Sequence, residues 1–305
     1  MAGSGRSIEA LNVNYGCRLE CEACEKYFDC ESPEKENIYE RGRMRRVRQN
    51  LAPIKYKVAV MSGKGGVGKS SVTAALAMGL AQRGAKVGVV DQDFDGPCIP
   101  RMLGVLGDTM QAGDKGIIPV VSKQGIKVVS TGLLPEENDT VITWLHALRR
   151  NATEEFLGHT DYGDVDYLLI DMPPGTSSDC VNVLQCLPDL SGAVVVTVPT
   201  QVSQGVAKKA ILLCRKAGVP VLGVVENMSG YVCLHCGREV QPLLSGGGEA
   251  LAAEMGVPFW GRIPIDARLG ESMDRGQPFL ELFPDSPAVQ TVMRLVANLQ
   301  AAMEG

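Results

Sequence analysis

The chain of 305 residues carries 30 Lys and Arg against 35 Asp and Glu, a formal net charge of -5, with 45% hydrophobic and 21% charged residues. That balance is ordinary for a soluble globular protein and excludes an overall pull toward nucleic acid or anionic lipid, so any such contact has to come from a local patch. No run of about 18 apolar residues occurs, and the start, MAGSGRSIEA, has no apolar signal core, so a cytoplasmic protein without a membrane partner is expected.

In chain order, residues 1–54 come first. They are polar, with no sustained period of 2 or 3.6; residues 1–40 hold nine acids against four bases, then RGRMRRVR, residues 41–48, holds five arginines. Such a segment buries too little apolar surface to fold unaided and needs a staple. Four of the ten cysteines, Cys17, Cys21, Cys24 and Cys30, stand in the pattern C-x3-C-x2-C-x5-C. In a reducing compartment, clustered thiols point to metal or redox chemistry rather than disulfides, and ligation of a metal would order the extension. Zinc and an iron-sulfur cluster both use such spacings, although structural zinc more often uses two paired C-x2-C knuckles. CRLECEAC also matches the C-x3-C-x2-C loop of radical S-adenosylmethionine enzymes, which need a barrel that the rest of this chain does not provide. The arginine run reads as a solvated linker or helix face docked on the acidic half of its own segment. Its footprint is too small to make nucleic acid an expected partner.

From Lys55 onward, short apolar runs alternate with helical patterns, which predicts βα units around a mainly parallel, doubly wound sheet. The expected strands are KVAVMSG, KVGVVDQD, IKVVSTGLL, DYLLIDMPP, GAVVVTVPT, VLGVVENMS and PFWGRIPI. Helices are expected near 70–83, 142–157, 203–217, 246–255 and 286–303. The last places Val289, Val292, Leu295, Val296 and Leu299 on one face, a core stripe rather than a lipid-binding one. The expected division is a Cys-rich extension, 1–54, and one domain, 55–305. Within that domain Cys98, Cys180, Cys186 and Cys214, scattered singly, read as small buried hydrophobes.

GKGGVGKS, Gly63 to Ser70, follows the first strand and fits G-x-x-x-x-G-K-[ST] in full. The glycines let backbone wrap a phosphate, the following helix N-terminus favours anions, Lys69 reaches the β- and γ-phosphates, and Ser70 can ligate Mg²⁺. Farther on, Cys233 and Cys236 form a C-x-x-C. Two thiolates cannot complete a four-coordinate sulfur site, but two chains can; a bridging 4Fe-4S cluster, a bridging zinc ion and a redox dithiol all remain open, with His235 as a spacer.

KGGVGKS resembles the deviant Walker A loop of the MinD/ParA/nitrogenase-iron-protein class of P-loop ATPases. Together with VVDQDFDGPCIPRMLG, LLIDMPPGTSSD, VVENMSGYVCLHCG, GGGEALAAEMGVPFWGRIPID and MDRGQPF, it is similar to the Mrp/Nbp subfamily of iron-sulfur cluster scaffolds and carriers, over roughly residues 55–285. That resemblance implies an α/β P-loop NTPase fold with a small metal-stapled N-terminal extension. It implies ATP contacts from Gly63, Lys64, Gly65, Gly66, Val67, Gly68, Lys69, Ser70 and Ser71, with Lys64 reaching across a dimer to the partner's nucleotide. Asp91 and Asp93 match the switch I acids that hold the Mg²⁺ shell and orient water, with Asp95 beside them. Asp171 matches the Walker B acid, Gly175 lies in the switch loop, and Asn227, Pro264 and Asp266 match adenine contacts. The resemblance further implies a 4Fe-4S cluster bridging two subunits through Cys233 and Cys236, and a second one on the N-terminal cysteines. Cys21, Cys24 and Cys30 match the Nbp pattern, whereas Cys17 stands closer to them than the family's first cysteine does. The expected function is ATP-dependent cluster assembly and transfer to apo-proteins by a homodimer or a heterodimer with a related ATPase, with an electron donor as a further partner. An ATP-gated reductase like the nitrogenase iron protein and a ParA/MinD-type positioning ATPase are the alternatives.

Overall fold

The computed structural model describes residues 35–135, 146–187, 189–232, 236, 238–240 and 245–304. Twelve strands form among them: β1 Tyr56–Ser62, β2 Val87–Asp91, β3 Gln111–Gly113, β4 Gly116–Ile118, β5 Val120–Val121, β6 Lys127–Val129, β7 Tyr167–Asp171, β8 Gly192–Thr197, β9 Val221–Glu226, β10 Tyr231–Val232, β11 Glu239–Val240 and β12 Phe259–Arg262. Eight make one sheet in the order β12-β9-β8-β1-β7-β2-β6-β5, parallel except where β5 runs against β6. All seven strands expected from the sequence are there. β2, β7 and β8 are buried along their whole length, which is why they read as continuous apolar runs rather than alternating ones.

β1 lies between β7 and β8, at the point where the winding changes direction. In a doubly wound sheet the carboxyl ends of the strands flanking that point form the crevice for ligands. Here the ends of β1, β2 and β7 carry the P-loop, Asp91 and Asp171, in register: Asp91 pairs with Asp171 across β2 and β7.

The five expected helices span Lys69–Gln82, His146–Gly158, Gln201–Lys216, Gly247–Met255 and Pro287–Glu304. The last buries Val289, Val292, Leu295, Val296 and Leu299, as its pattern predicts, and Val296 packs where a Cβ on Gly79 would come within 2.6 Å. Among the described residues no helix is long and apolar enough to cross a membrane.

The arginine-rich segment takes the helix form of the two expected, and among the described residues it packs on a helix distant in sequence. It belongs to a helix, Lys35–Leu51, whose Val47 and Leu51 are fully buried in the main core. The apolar face, Met44, Val47 and Leu51, is too short to register as a period against so many charges, but it suffices because a partner covers it. That partner is the helix His146–Gly158. Arg43 Nε meets Glu154 Oε2 at 2.7 Å, Arg43 donates to Asn151 Oδ1 at 2.8 Å, and Asn50 Nδ2 donates to the carbonyls of Leu157 and Thr160, both at 2.9 Å.

Candidate active site

The P-loop is built by local geometry that only glycine allows at two points. A Cβ on Gly63 would lie 2.2 Å from the backbone of Val206; Gly68 has φ +82°, and a Cβ there would meet Asn227 Nδ2 at 2.2 Å. Between them, Ser62 Oγ donates to the Lys64 carbonyl at 3.0 Å and Asn227 Nδ2 donates to the Val67 carbonyl at 2.9 Å. The helix Lys69–Gln82 starts directly after Gly68, with no side-chain cap and no acid in its first turn. Its leading N–H groups and the positive end of its dipole are therefore kept for an anion.

A dry charge cluster stands at that helix start. Asp171, fully buried, accepts from Lys69 Nζ at 2.6 Å and Ser70 Oγ at 2.6 Å through Oδ2, and from Thr73 Oγ1 at 2.6 Å through Oδ1. Lys69 also donates to Ser70 Oγ at 3.2 Å and stands 3.9 Å from Asp93 Oδ2. Burial pulls the Lys69 ammonium down, but the charge and hydrogen bond of Asp171, with Asp91 and Asp93 behind it, outweigh burial and hold it above the usual lysine range. Asp91, also fully buried, accepts from the Asp93 N–H at 3.0 Å, the Ile99 N–H at 3.4 Å and Ser130 Oγ at 3.2 Å. Burial, then repulsion from Asp171, pushes its carboxyl up to about 8; burial raises Asp93 too, against the pull of Lys69.

These donors suit Mg²⁺, which takes oxygen ligands and is usually held by one or two carboxylates plus substrate phosphates rather than by a dedicated protein cage. Ser70 Oγ and Asp171 supply hard oxygens side by side. Among the described residues no group of three or more His, Cys, Asp or Glu side chains is arranged as a metal site of its own.

Asp95 turns away from this cluster. Arg149 grips it bidentately at 2.6 and 2.9 Å and reaches Asp179 at 3.1 Å, tying the loop after β2 to the helix Ser178–Cys186 that follows β7. One turn along, Thr153 Oγ1 donates to Gln92 Oε1 at 2.8 Å. The helix that carries Arg149 and Thr153 is the one the arginine-rich helix packs on. Gly175 has φ +82° and its N–H donates to the Ser62 carbonyl at 3.1 Å, which places the switch loop against the P-loop. Lys64 is half-buried in the P-loop and stands outside the Lys69–Asp171 cluster.

At the other end of the crevice Asn227 is buried, and Pro264 and Asp266 lie on the stretch after β12, where the Ile265 N–H donates to the Gly230 carbonyl at 2.8 Å. The Asp266 carboxylate is engaged within the chain: it caps the helix Ala267–Asp274 through the Arg268 N–H, takes the Arg268 guanidinium at 2.6 and 2.9 Å, and accepts from Ser286 Oγ at 2.7 Å. Burial opposes that charge, but the hydrogen bonds from Arg268 and Ser286 win and hold its carboxyl below the usual range. Cys236 is exposed beside the short hairpin of β10 and β11. Cys17, Cys21, Cys24, Cys30 and Cys233 lie outside the described residues.

Cys180, Cys186 and Cys214 are buried as expected, and burial pushes the Cys180 and Cys214 thiols up to about 12 and about 11. Cys98 is not: it is exposed in the loop after β2, where its thiol donates to the Gly96 carbonyl at 3.2 Å. Thr73 and Arg149 are site residues that sequence reading missed. Thr73 was within reach, because it follows Ser70 by three residues on one helix and so shares its face.

A family model described as ParA, NUBPL iron-transfer P-loop NTPase, matches residues 53–300. The chain belongs to that family. Among relatives of this iron-transfer P-loop NTPase, the iron-sulfur cluster carrier protein of Saccharolobus solfataricus is 45% identical over 259 residues, 85% of this chain and 88% of its own. The cytosolic Fe-S cluster assembly factor NUBP2 of Bos taurus is 44% identical over 254 residues, 82% of this chain and 94% of its own. A nucleotide-binding protein from Archaeoglobus fulgidus, solved in complex with ADP, superposes with a TM-score of 0.69 at 37% identity, covering 77% of this chain and 92% of that one.

Proposed function

We propose that this iron-transfer P-loop NTPase is a cytoplasmic ATP hydrolase that assembles a 4Fe-4S cluster between two subunits, on Cys233 and Cys236 of each, and passes it to apo iron-sulfur proteins. The observation that carries this assignment is the occurrence, in a single member of that family, of a complete P-loop charge cluster at Lys69 and Asp171 and an exposed C-x-x-C thiol, Cys236. The carrier and cytosolic assembly roles named for its relatives support it.

In this mechanism the loop Gly63 to Ser71 wraps the phosphates, and Lys69 passes from Asp171 to the β- and γ-phosphates. Ser70 Oγ and Asp171 would hold Mg²⁺, which would neutralise phosphate charge. Asp171 keeps its hydrogen bond from Thr73, and of Asp91 and Asp93 one would help hold the metal's water shell and one would orient the attacking water. Lys64 serves the partner's nucleotide, in a homodimer or with a related ATPase; Asn227 and the Pro264–Asp266 stretch line the base. The extension 1–54 holds a second, tighter 4Fe-4S cluster on Cys17, Cys21, Cys24 and Cys30 that delivers electrons or docks a partner, with an electron donor as a further partner of the protein. The domain 55–305 turns over ATP.

The test is ATP-dependent transfer of a reconstituted cluster to an apo iron-sulfur protein, wild type against Lys69→Ala. The variant should load iron normally and lose the ATP-dependent part of transfer. Undiminished transfer would sink the coupling of hydrolysis to delivery.

A further inference from the structure

MDRGQPF, residues 273–279, lies outside the stretches that carry Lys69, Asp91, Asp93 and Asp171, yet it meets the end of one of them, VVDQDFDGPCIPRMLG. The contact joins two helix ends. The short helix Ile99–Met102 closes on Gly104, whose φ is +70° and whose N–H donates to the Arg101 carbonyl at 3.1 Å. The helix Ala267–Asp274 closes the same way on Gly276, with φ +62° and its N–H on the Met273 carbonyl at 3.2 Å. Left-handed glycines commonly finish helices; here the two also lie backbone against backbone. A Cβ on Gly104 would come within 2.6 Å of the Gly276 carbonyl oxygen, and one on Gly276 would overlap the Gly104 Cα and stand 2.9 Å from the Arg101 carbonyl oxygen. Neither neighbour is a flexible side chain, so an added methyl has to move a main chain.

Both sides of this contact lead to the phosphate end of the crevice. On one side, the helix Ile99–Met102 hangs on Asp91, which accepts the Ile99 N–H at 3.4 Å through Oδ2 and the Asp93 N–H at 3.0 Å through Oδ1. A displaced helix therefore carries the switch acids with it. On the other side, the chain runs from Gly276 into Phe279 and Leu280, both buried in the main core. Leu280 Cδ1 stands 3.6 Å from the place of a Cβ on Gly79, in the helix that begins at Lys69.

We propose that Gly276 is a positioning residue for ATP hydrolysis. Its bare backbone lets the turn 273–280 seat the helix Ile99–Met102 against the helix Lys69–Gln82, and that seat fixes where Asp91 and Asp93 stand relative to Lys69. A side chain at 276 pushes on the main chain of Arg101 and Gly104 and draws the Ile99 N–H off Asp91, while the loop Gly63 to Ser70 stays as it is. Phosphate binding, which the loop amides and Lys69 supply, then survives; the alignment of the attacking water does not. The proposal rests on the assigned mechanism for the roles of Asp91 and Asp93 alone, and neither the cluster nor the thiols that hold it enter.

The test uses the full-length protein: wild type, Gly276→Ala, Gly104→Ala and Gly218→Ala. Gly218 has φ +71° and open space where a Cβ would go, so its variant carries the backbone strain without the contact. Three quantities are read well below the melting range: kcat and KM for Mg·ATP, the Kd of ADP without Mg²⁺, and the alkylation rate of Cys98 by iodoacetamide in nucleotide-free protein, followed by peptide mass spectrometry. Cys98 is exposed directly before Ile99, so its rate reports the seat without any turnover. Gly276→Ala and Gly104→Ala should lower kcat about 10–100-fold with the ADP Kd within about twofold, and raise the Cys98 rate at least about threefold. Gly218→Ala should match wild type in all three. A wild-type kcat or a wild-type Cys98 rate in Gly276→Ala overturns the proposal, as does a Gly218→Ala that loses as much. Should Gly276→Ala not fold, Gly104→Ala, at an exposed position, decides alone on the same readings. Asp93→Asn, run alongside, keeps the assigned mechanism apart: if it turns over ATP like wild type, the role given to Asp93 fails, and the Cys98 rate alone then decides the seat.

Discussion

At the phosphate end of the crevice, Asp171 and Lys69 are 0% and 4% exposed and meet at 2.6 Å, with Ser70 and Thr73 on the same carboxylate; the region of β10 and β11, by contrast, carries Cys236. The first region is rigid because it is charged and dry, so removing any partner strands another. The second presents its thiol to solvent on a hairpin whose strands pair over two residues.

The contrast predicts that the phosphate end is far less forgiving. Asp171→Ala removes the counter-ion in direct contact with the buried Lys69 ammonium and leaves it only Asp93, 3.9 Å away, and should cost about 3 kcal/mol of stability together with all measurable ATP turnover; urea melts and phosphate release check both. If the protein stays as stable as wild type, the cluster is not the rigid centre described. Arg149→Ala breaks the tie between the loops after β2 and β7 without touching Lys69 or Asp171. ATP turnover should fall about 10–100-fold at nearly unchanged nucleotide affinity, the pattern of lost positioning.

The next effect is one of pH. The Asp91 carboxyl is held up to about 8 in the fold, against roughly 3.9 in an unfolded chain. Between those values the folded protein keeps a proton that the unfolded chain has given up, so this group's contribution is complete below the lower value and is lost as pH rises toward the upper. Thermal melts of nucleotide-free protein should therefore decline from pH 6 to pH 8.5 more steeply in wild type than in Asp91→Asn; parallel declines would contradict the shift. The smallest effect belongs to the exposed thiol. Cys236→Ser should change stability by less than about 0.5 kcal/mol and leave nucleotide affinity as it was, in line with an exposed side chain outside the Lys69–Asp171 cluster.

Much of the fold was legible because parallel strands buried on both faces are plain apolar runs, and because the P-loop is a local motif whose glycines, lysine and serine sit in eight consecutive residues. What escaped depends on partners distant in sequence. The helix Lys35–Leu51 exists because His146–Gly158 covers its short apolar face, 100 residues on. Asp95 looked like a third switch acid until Arg149 was found to hold it. Cys98 read as a buried hydrophobe, like the other single cysteines, yet its loop faces solvent.

The central claim is that the C-x-x-C pairs of two subunits hold a transferable cluster. The most direct measurement is iron, acid-labile sulfide and zinc per dimer in anaerobically purified wild type and in Cys233→Ala/Cys236→Ala. Iron and sulfide should be equal, and the double variant should lose about one 4Fe-4S per dimer while the remainder stays with Cys17, Cys21, Cys24 and Cys30. Zinc at both places, with no cluster reconstituted, would contradict the account and leave a P-loop switch whose thiols are structural.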